Sequence, residues 1–281
     1  MPMPKCLALL LLPLVAACED GSLDLAIADA PVDGATAVVV RFTGVELEPD
    51  EDDTERFDFN PPLDIDLLRL SGGDSQLLLD GAGLPSGTYR RIRLRVDASR
   101  GSGASYVETP QGRRLLVLPD NAGNGLTLEG SFEVPDDETA AYTIDFDLRR
   151  SIREPEDSSA DYVLRPSLRI VETGRAGAIS GTVAASLVTA NCTPAVYVYT
   201  GASIVPDDVG GSGPQPLSSA RVQIQVGSGE FRYQLAFLPA GSYTAAFTCD
   251  AALDDPAGND EVEFIARNVE VREGRTATLE F

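Results

Sequence analysis

The sequence contains no histidine and no tryptophan among its 281 residues, and Lys5 is its only lysine. Without histidine there can be no Ser–His catalytic triad, no histidine metal site and no histidine pH switch. Aromatic residues make up only 6% of the chain, so rings that could stack on sugars are scarce. Tyr106, Tyr197 and Tyr199 are the rings expected to be exposed and available to a ligand.

The motifs of common enzyme classes are also missing. The chain has no G-x-S-x-G elbow, no phosphate-binding Walker loop, no dinucleotide fingerprint and no cluster with the spacing of metal ligands. We therefore expect a protein that is not an enzyme. A glycosidase that uses only two carboxylates is the remaining enzymatic alternative.

Positive charge is sparse relative to negative charge. The 22 basic and 44 acidic residues give a formal net charge of −22. Such a surface repels nucleic acid and anionic lipid headgroups, so neither is expected as a direct partner. The acidic, lysine-poor composition suits a saline habitat, where charge repulsion is screened, or reflects a GC-rich genome that encodes arginine in place of lysine.

The first 17 residues, MPMPKCLALLLLPLVAA, have the pattern of an export signal. Lys5 precedes an apolar run from Leu7 to Val15, which is shorter than the roughly 20 residues that a transmembrane helix needs. The run ends in Val-Ala-Ala-Cys18, which resembles the lipobox of bacterial lipoproteins. The resemblance implies a signal peptide over residues 1–17, lipidation of Cys18 and a short tether over residues 18–22. An ordinary secretory signal is the alternative.

The remaining cysteines form a candidate pair. If Cys6 leaves with the signal peptide and Cys18 carries lipid, then Cys192 and Cys249 are left in an exported, oxidising setting. A disulfide between them is expected. Two free thiols are the alternative.

A short motif occurs twice and organises the chain. LPSGTYRRIRLRVDA at Leu84–Ala98 returns in degraded form as LPAGSYTAAFTCDA at Leu238–Ala251. In both copies Pro and Gly favour a turn, and Tyr followed by alternating apolar residues favours a strand. Together with regularly spaced short strands elsewhere, this predicts an all-β chain of two tandem antiparallel β-sandwich domains, residues 23–173 and 178–281. The segment Pro49–Pro62 is predicted to be a charged loop or hairpin.

Both predicted domains resemble known families. ADAPVDG, LPSGTYRRIRLRV, YTIDFDLRRSI and YVLRPSLRIV occur in the order found in the bacterial lipoprotein family called domain of unknown function 4382. GAISGTV, FLPAGSYTAAFTC and NVEVREGRTATLEF resemble a transthyretin-like, carboxypeptidase-regulatory-like β-sandwich. These resemblances imply a fold and a place in the cell envelope, and they imply no activity.

Charged residues alternate along two predicted strands. Arg91, Arg93 and Arg95 share one strand face, and Asp145 and Asp147 share another. Because like charges on one face repel, we hypothesise that carboxylates on neighbouring strands form structural ion pairs with the arginines, and Asp145 and Asp147 are candidates for this role. A binding site for an anion or a sugar acid is the alternative.

Oxygen ligands crowd one loop of the second domain. Asp254, Asp255, Asn259, Asp260 and Glu261 lie in LDDPAGNDE. Ca²⁺ takes six to eight such ligands, but the spacing is not that of an EF-hand, and an acidic chain produces similar clusters by chance. No cofactor or metal is therefore predicted. Calcium at this loop is the alternative to a solvated turn.

The sequence as a whole predicts a lipid-anchored, non-catalytic protein of the bacterial cell envelope that acts as a structural or adhesive β-sandwich module. The membrane is its expected partner through the N-terminal lipid, and a further envelope or extracellular partner is unidentified. The alternative is a lipoprotein that binds polysaccharide or calcium. A concave pocket lined by aromatic or carboxylate groups would favour that alternative.

Overall fold

The computed structural model describes residues 20–281 except residues 31, 33, 52, 120–122, 124 and 154–160. The predicted signal peptide and Cys18 lie outside the described residues. The strands are β1 (Asp20–Ala30), β2 (Ala37–Pro49), β3 (Glu55–Asp66), β4 (Gln76–Pro85), β5 (Gly87–Val96), β6 (Tyr106–Thr109), β7 (Gly112–Val117), β8 (Gly125–Val134), β9 (Thr139–Asp147), β10 (Ile152–Arg153), β11 (Tyr162–Leu164), β12 (Leu168–Glu172), β13 (Gly177–Val183), β14 (Ala195–Thr200), β15 (Ser218–Arg221), β16 (Gln223–Ile224), β17 (Phe231–Leu238), β18 (Gly241–Thr248), β19 (Ile265–Val271) and β20 (Thr276–Thr278).

The helical elements are short. Helix α1 (Leu148–Ser151) follows β9 directly, and 3₁₀ turns lie at Leu67–Gly73 and Ala185–Leu187. None of the helices in the described part of the chain has the length and apolar character that a membrane-spanning helix needs.

The strands form four sheets, two in each half of the chain. Sheet A has the order β12-β9-β1-β4, and sheet B has the order β10-β11-β7-β6-β2-β5-β8 with β3 also paired to β2. Sheet C has the order β16-β17-β13-β20, and sheet D has the order β15-β14-β18-β19. We refer to sheets A and B as the first unit and to sheets C and D as the second unit. The predicted all-β, two-sandwich architecture is confirmed.

Most strand pairs among the described residues are antiparallel, as predicted, but three of them are parallel. β1 lies parallel to β9, β11 to β7, and β13 to β20. Each of these pairs joins strands that are distant in sequence, and the long connections that parallel neighbours require are present. Sequence alternation cannot distinguish the two senses of pairing.

Alternating burial builds a separate core in each unit. β2 alternates between buried and half-buried residues, and Val38, Val40 and Phe42 are fully buried in the first core. The second core includes Ile179, Val198 and other residues of sheets C and D. The last strand of the first unit ends at Glu172, and the first strand of the second unit begins at Gly177. The exact domain limits drawn from the sequence stay a prediction.

The repeated motif marks the same corner in both units. β4 lies in sheet A and β5 in sheet B, while β17 lies in sheet C and β18 in sheet D. In each case the Leu-Pro-x-Gly segment carries the chain from one sheet to the other. Tyr89 Oη donates to the carbonyl of Pro85 (2.9 Å), and Tyr243 Oη donates to the carbonyl of Pro239 (2.7 Å). The resulting tyrosine corner fixes the crossing of each sandwich.

The expected disulfide is confirmed. Cys192 and Cys249 are bonded, with 57 residues of sequence separation. The bond ties the segment before β14 to the end of β18, on the side where Thr193 forms an isolated bridge with Asp250.

One sequence prediction about the first unit is corrected, and another is made more precise. β1 begins at Asp20, so the predicted tether over 18–22 overlaps the strand, and Gly21 packs so closely on the Pro135 backbone that no side chain would fit. The segment Pro49–Pro62, predicted to be a charged loop or hairpin, forms a hairpin, because β2 ends at Pro49, β3 begins at Glu55 and the two strands pair antiparallel. Its prolines are tolerated because they fall where the register between β2 and β3 is interrupted.

Candidate functional site

A polar cleft with a volume of about 550 Å³ lies between the two units. The first unit contributes Asp29 at the end of β1, Asp145 on β9 and the turn at residues 71–73. A cleft of this size fits a small polar molecule. The lining from the second unit is largely made of hydrogen-bonding side chains: Ser218, Ser219, Arg221, Gln223, Arg232 and Gln234.

Asp29 is the least satisfied group in this cleft. Its residue is only 7% exposed, and neither carboxylate oxygen has a hydrogen bond of normal geometry within the described residues. Burial raises the pKa of Asp29 well above its usual range, and the charges of Asp145 and Asp147 raise it further. The backbone N–H of Leu148 and the guanidinium of Arg221 oppose this rise. A buried carboxyl in this setting favours its protonated form.

Asp145 and Asp147 are held by different partners. Asp145 pairs with Arg169, whose Nη2 lies 2.6 Å from Oδ2. Asp147 accepts a hydrogen bond from the backbone N–H of Arg150 (3.1 Å) and so caps α1. Burial raises the pKa of Asp147 to about 6, against the lowering effect of that N–H.

Two arginines of the first unit, one buried and one half-buried, reach into the second. Arg149 is 3% exposed, and its Nη1 donates to the carbonyl of Ala251 (3.0 Å) while its guanidinium lies over the ring of Tyr197. Arg169 Nη1 donates to the carbonyl of Phe237 (2.7 Å). Because charge-assisted hydrogen bonds between largely buried groups are strong, these arginines hold the two units in a fixed relation.

The arginines of β5 form ion pairs with carboxylates of sheet B. Arg91 pairs with Glu48 on β2 (2.5 Å) and Glu129 on β8 (2.7 Å), and Arg95 pairs with Asp58 on β3. Arg93 lies in register with Glu46 on β2.

The specific prediction that Asp145 and Asp147 pair with this ladder is wrong. Both belong to β9 in sheet A, whereas the arginines belong to sheet B. Asp145 pairs with Arg169 of sheet A instead. The sequence shows which residues share a strand face, but it does not show which strands become neighbours.

The acidic loop is partly assembled as a cluster. Asp254 and Asp260 come together with Asp208, and one carboxylate oxygen from each lies within 4.8 Å of the others. Asp255 and Glu261, the other calcium candidates, are not part of this group. The sequence did not single out Asp208 as a possible ligand, because its loop, PDDVGGSGPQP, is distant in sequence from the acidic loop. The only local sign of a ligand there was a pair of aspartates followed by glycines.

The tyrosines expected to be exposed are mostly internal. Tyr197 is 0% and Tyr199 is 1% exposed, and both pack near Phe264 on the outer face of sheet D. Tyr106 is half-buried, with the Arg113 guanidinium 3.7 Å from its ring centre. These rings are therefore not a platform for stacking sugars.

The first unit identifies the family. The family described as "Domain of unknown function (DUF4382)" matches residues 20–166, just over half of the chain. The chain belongs to this family. No curated protein matches it in sequence.

Solved structures with stacked β-sheets overlap it weakly. The TIE protein of Bacillus anthracis is 12% identical over 93% of this chain, with a TM-score of 0.23, and the chain covers 34% of that protein, about a third of its length. The minor pilin GBS52 of Streptococcus agalactiae is 10% identical, with 92% of this chain and 94% of that chain covered and a TM-score of 0.21. The major pilin BcpA of Bacillus cereus is 9% identical, with 93% and 98% covered and a TM-score of 0.21. We draw no functional conclusion from likenesses at this level.

Proposed function

We propose that this protein is a lipid-anchored, non-catalytic component of a bacterial cell envelope and acts as a structural or adhesive module. The observation that carries the proposal is the fixed junction between the two β-sandwiches. Arg149 and Arg169 cross it and donate to backbone carbonyls of the second unit. A two-unit body held in this way can keep a surface at a set distance from a membrane, which a flexible linker cannot do.

The proposed location rests on the sequence and the disulfide. The disulfide Cys192–Cys249 fits an exported protein. The resemblance of Cys18 to a lipidation site supports a fatty-acyl anchor, in which each buried CH₂ contributes about 0.8 kcal/mol and several chains act together. The net charge of −22 argues against nucleic acid as a partner.

The proposed absence of catalysis rests on the chemistry of the side chains. The chain has no histidine, and the cysteines of its described part are both in the disulfide. We also retain the proposal that residues 178–281 form a transthyretin-like module, which is supported by the two four-stranded sheets of the second unit.

The anchor can be tested with matched cysteine variants. The full chain, Cys18→Ser and Cys6→Ser would be expressed in a bacterium that processes lipoproteins, then partitioned between detergent and water. We expect the wild type and Cys6→Ser in the detergent phase, with a lipidated N-terminal peptide by mass spectrometry, and Cys18→Ser without lipid. An unmodified wild-type leader would refute the anchor.

The cleft supports a second candidate function, the binding of a hydroxyl-rich ligand such as a polysaccharide fragment. The specific observation is the buried carboxyl of Asp29, without a normal hydrogen bond among the described residues, in a cleft lined by Ser, Gln and Arg. Buried polar groups ordinarily have partners, so a ligand hydroxyl in this position would supply one.

Titration calorimetry with a panel of oligosaccharides tests this second function. Binding by the wild type should weaken at least about tenfold in Asp29→Ala and in Gln234→Ala, because each variant loses a polar side-chain contact with the ligand. Glu261→Gln, which lies outside the cleft, is the control. Absence of binding to the whole panel, or binding that neither variant weakens, would refute it.

A further inference from the structure

Two long loops of the second unit meet beside sheet D. Residues 201–217 connect β14 to β15, and residues 249–264 connect β18 to β19. The backbone N–H of Asp260 donates to Oδ2 of Asp208 (2.8 Å), and the N–H of Val209 donates to Oδ1 of Asp254 (3.0 Å). Each loop therefore supplies a carboxylate that accepts a hydrogen bond from a backbone N–H of the other loop.

The carboxylates come close where the loops touch. One oxygen each from Asp208, Asp254 and Asp260 lies within 4.8 Å of the others. Asp208 is 1% exposed and Asp254 is 7% exposed. Oxygens this close together can share a single cation, and Ca²⁺ takes oxygen ligands at about 2.3–2.6 Å.

An independent observation concerns the second oxygen of Asp208. Oδ1 is buried, and no donor in the described part of the chain hydrogen-bonds to it. The side chain is thus more than nine-tenths buried and lies in the cluster with one oxygen unsatisfied. A buried carboxylate oxygen normally has a donor or a cation, and leaving it without either is costly.

The surroundings do not neutralise the cluster fully. Tyr197 Oη donates to Oδ2 of Asp254 (2.5 Å), which is a neutral donor. Asp207 adds a further carboxyl next to Asp208, close to Gly211.

We propose that Asp208, Asp254 and Asp260 bind a calcium ion that fastens the two loops to each other. The site uses hard oxygen ligands from two loops, and the remaining ligands of a coordination number of six to eight would come from backbone carbonyls and water. It assigns a role to Asp208, which lies outside the acidic segment singled out in the sequence. The site does not depend on the lipid anchor or on the cleft.

Metal binding can be followed on the full chain without a variant. Because the chain has no tryptophan and Tyr197 touches Asp254, Tb³⁺ in the site should show emission sensitised by tyrosine that Ca²⁺ displaces. Extracellular Ca²⁺ modules bind in the range of about 10⁻⁴ to 10⁻³ M, so ~5 mM Ca²⁺ should raise the unfolding temperature. Mg²⁺ at the same concentration should have a smaller effect.

Two variants locate the ion. Asp208→Asn should weaken Ca²⁺ binding at least about tenfold, since it removes a charged ligand. Glu261→Gln lies on the same loop as Asp254 and Asp260 but outside the cluster, and it should bind Ca²⁺ as the wild type does. Far-UV circular dichroism would establish that both variants fold.

Two outcomes would refute the proposal. The first is a wild type without sensitised Tb³⁺ emission and without a Ca²⁺-dependent rise in unfolding temperature, which would mean that the three carboxylates do not hold the ion. The second is an equal loss of Ca²⁺ binding in Glu261→Gln and Asp208→Asn, which would mean that the ion is attracted by the acidic surface in general.

Discussion

At the scale of single residues, three acids at the junction differ in how they are satisfied. Asp145 has the guanidinium of Arg169, Asp147 has the N–H of Arg150, and Asp29 has no hydrogen bond of normal geometry among the described residues. Burial accordingly raises the pKa of Asp29 and brings that of Asp147 to about 6. At neutral pH the folded protein therefore keeps Asp147 charged at a cost in stability.

This cost predicts a pH-dependent effect of Asp147→Asn. A carboxyl with a higher pKa in the folded state binds its proton more tightly there, so its contribution stabilises the fold at low pH and is lost as pH rises through about 6. Asparagine keeps an oxygen for the N–H of Arg150 and has no charge. We expect the variant to gain up to about 3 kcal/mol at neutral pH and nothing near pH 4.

Urea unfolding at the two pH values measures this difference. Asp74→Asn, an exposed position in the same unit, is the control and should change little at either pH. If Asp147→Asn were no more stable than the wild type at neutral pH, the cost assigned to the charged carboxyl would be wrong.

At the scale of elements, the tyrosine corners explain why one motif occurs in both halves. In each, a Pro carbonyl accepts the hydroxyl hydrogen of the Tyr four residues later, at the point where the chain changes sheets. Gly87 has a φ of 143°, a conformation that side chains disfavour, so glycine is needed after Ser86. The corner therefore depends on three residue types at fixed spacing.

Removing either hydroxyl should destabilise its own unit. Tyr89→Phe and Tyr243→Phe each lose one hydrogen bond and leave a carbonyl without its partner, so each should cost about 1 kcal/mol. Tyr106→Phe is the control, because this substitution also removes a hydroxyl but keeps the ring that contacts Arg113. Chemical denaturation of the three variants makes the comparison, and corner variants as stable as the control would contradict this account.

The corners also show what the sequence could predict. Leu-Pro-x-Gly-x-Tyr is a local pattern, and it correctly indicated two sandwiches. The partner of Asp145 could not be predicted, because sheet membership is set by long-range pairing. Asp208 could not be placed beside Asp254 for the same reason, since nothing local shows that their loops meet. The sequence indicated a loop or hairpin at Pro49–Pro62, but it did not show that β3 continues through Pro61 and Pro62. Interrupted pairing with β2 removes the usual penalty for a missing N–H there.

At the scale of the whole molecule, Arg169 joins the units at an irregular point of β17. Its Nη1 donates to the carbonyl of Phe237, whose φ of 54° is unusual for a residue with a side chain. The register between β17 and β13 shifts here, since Leu238 is paired with Gly177 but Leu235 is paired with Ile179. The arginine of one unit thus recognises a bulge in the other.

Arg169→Ala should make the two units unfold at different temperatures. It leaves Asp145 buried without its cation, which costs about 3 kcal/mol or more, and it removes the contact with Phe237. We expect two calorimetric transitions in the variant in place of a coupled one. Arg100→Ala, which breaks an exposed pair with Asp161, should cost less than about 1 kcal/mol. An unchanged melting profile in Arg169→Ala would contradict the role given to this arginine.

The placement of β1 has a mechanical consequence. This strand begins at Asp20 and lies between two neighbours, parallel to β9 and antiparallel to β4. A pulling force applied at the amino end would act along the strand and load the hydrogen bonds on both edges together, in shear, so that no single bond could open first. A pull at the amino end is thus opposed by the hydrogen bonds along both edges of β1 at once.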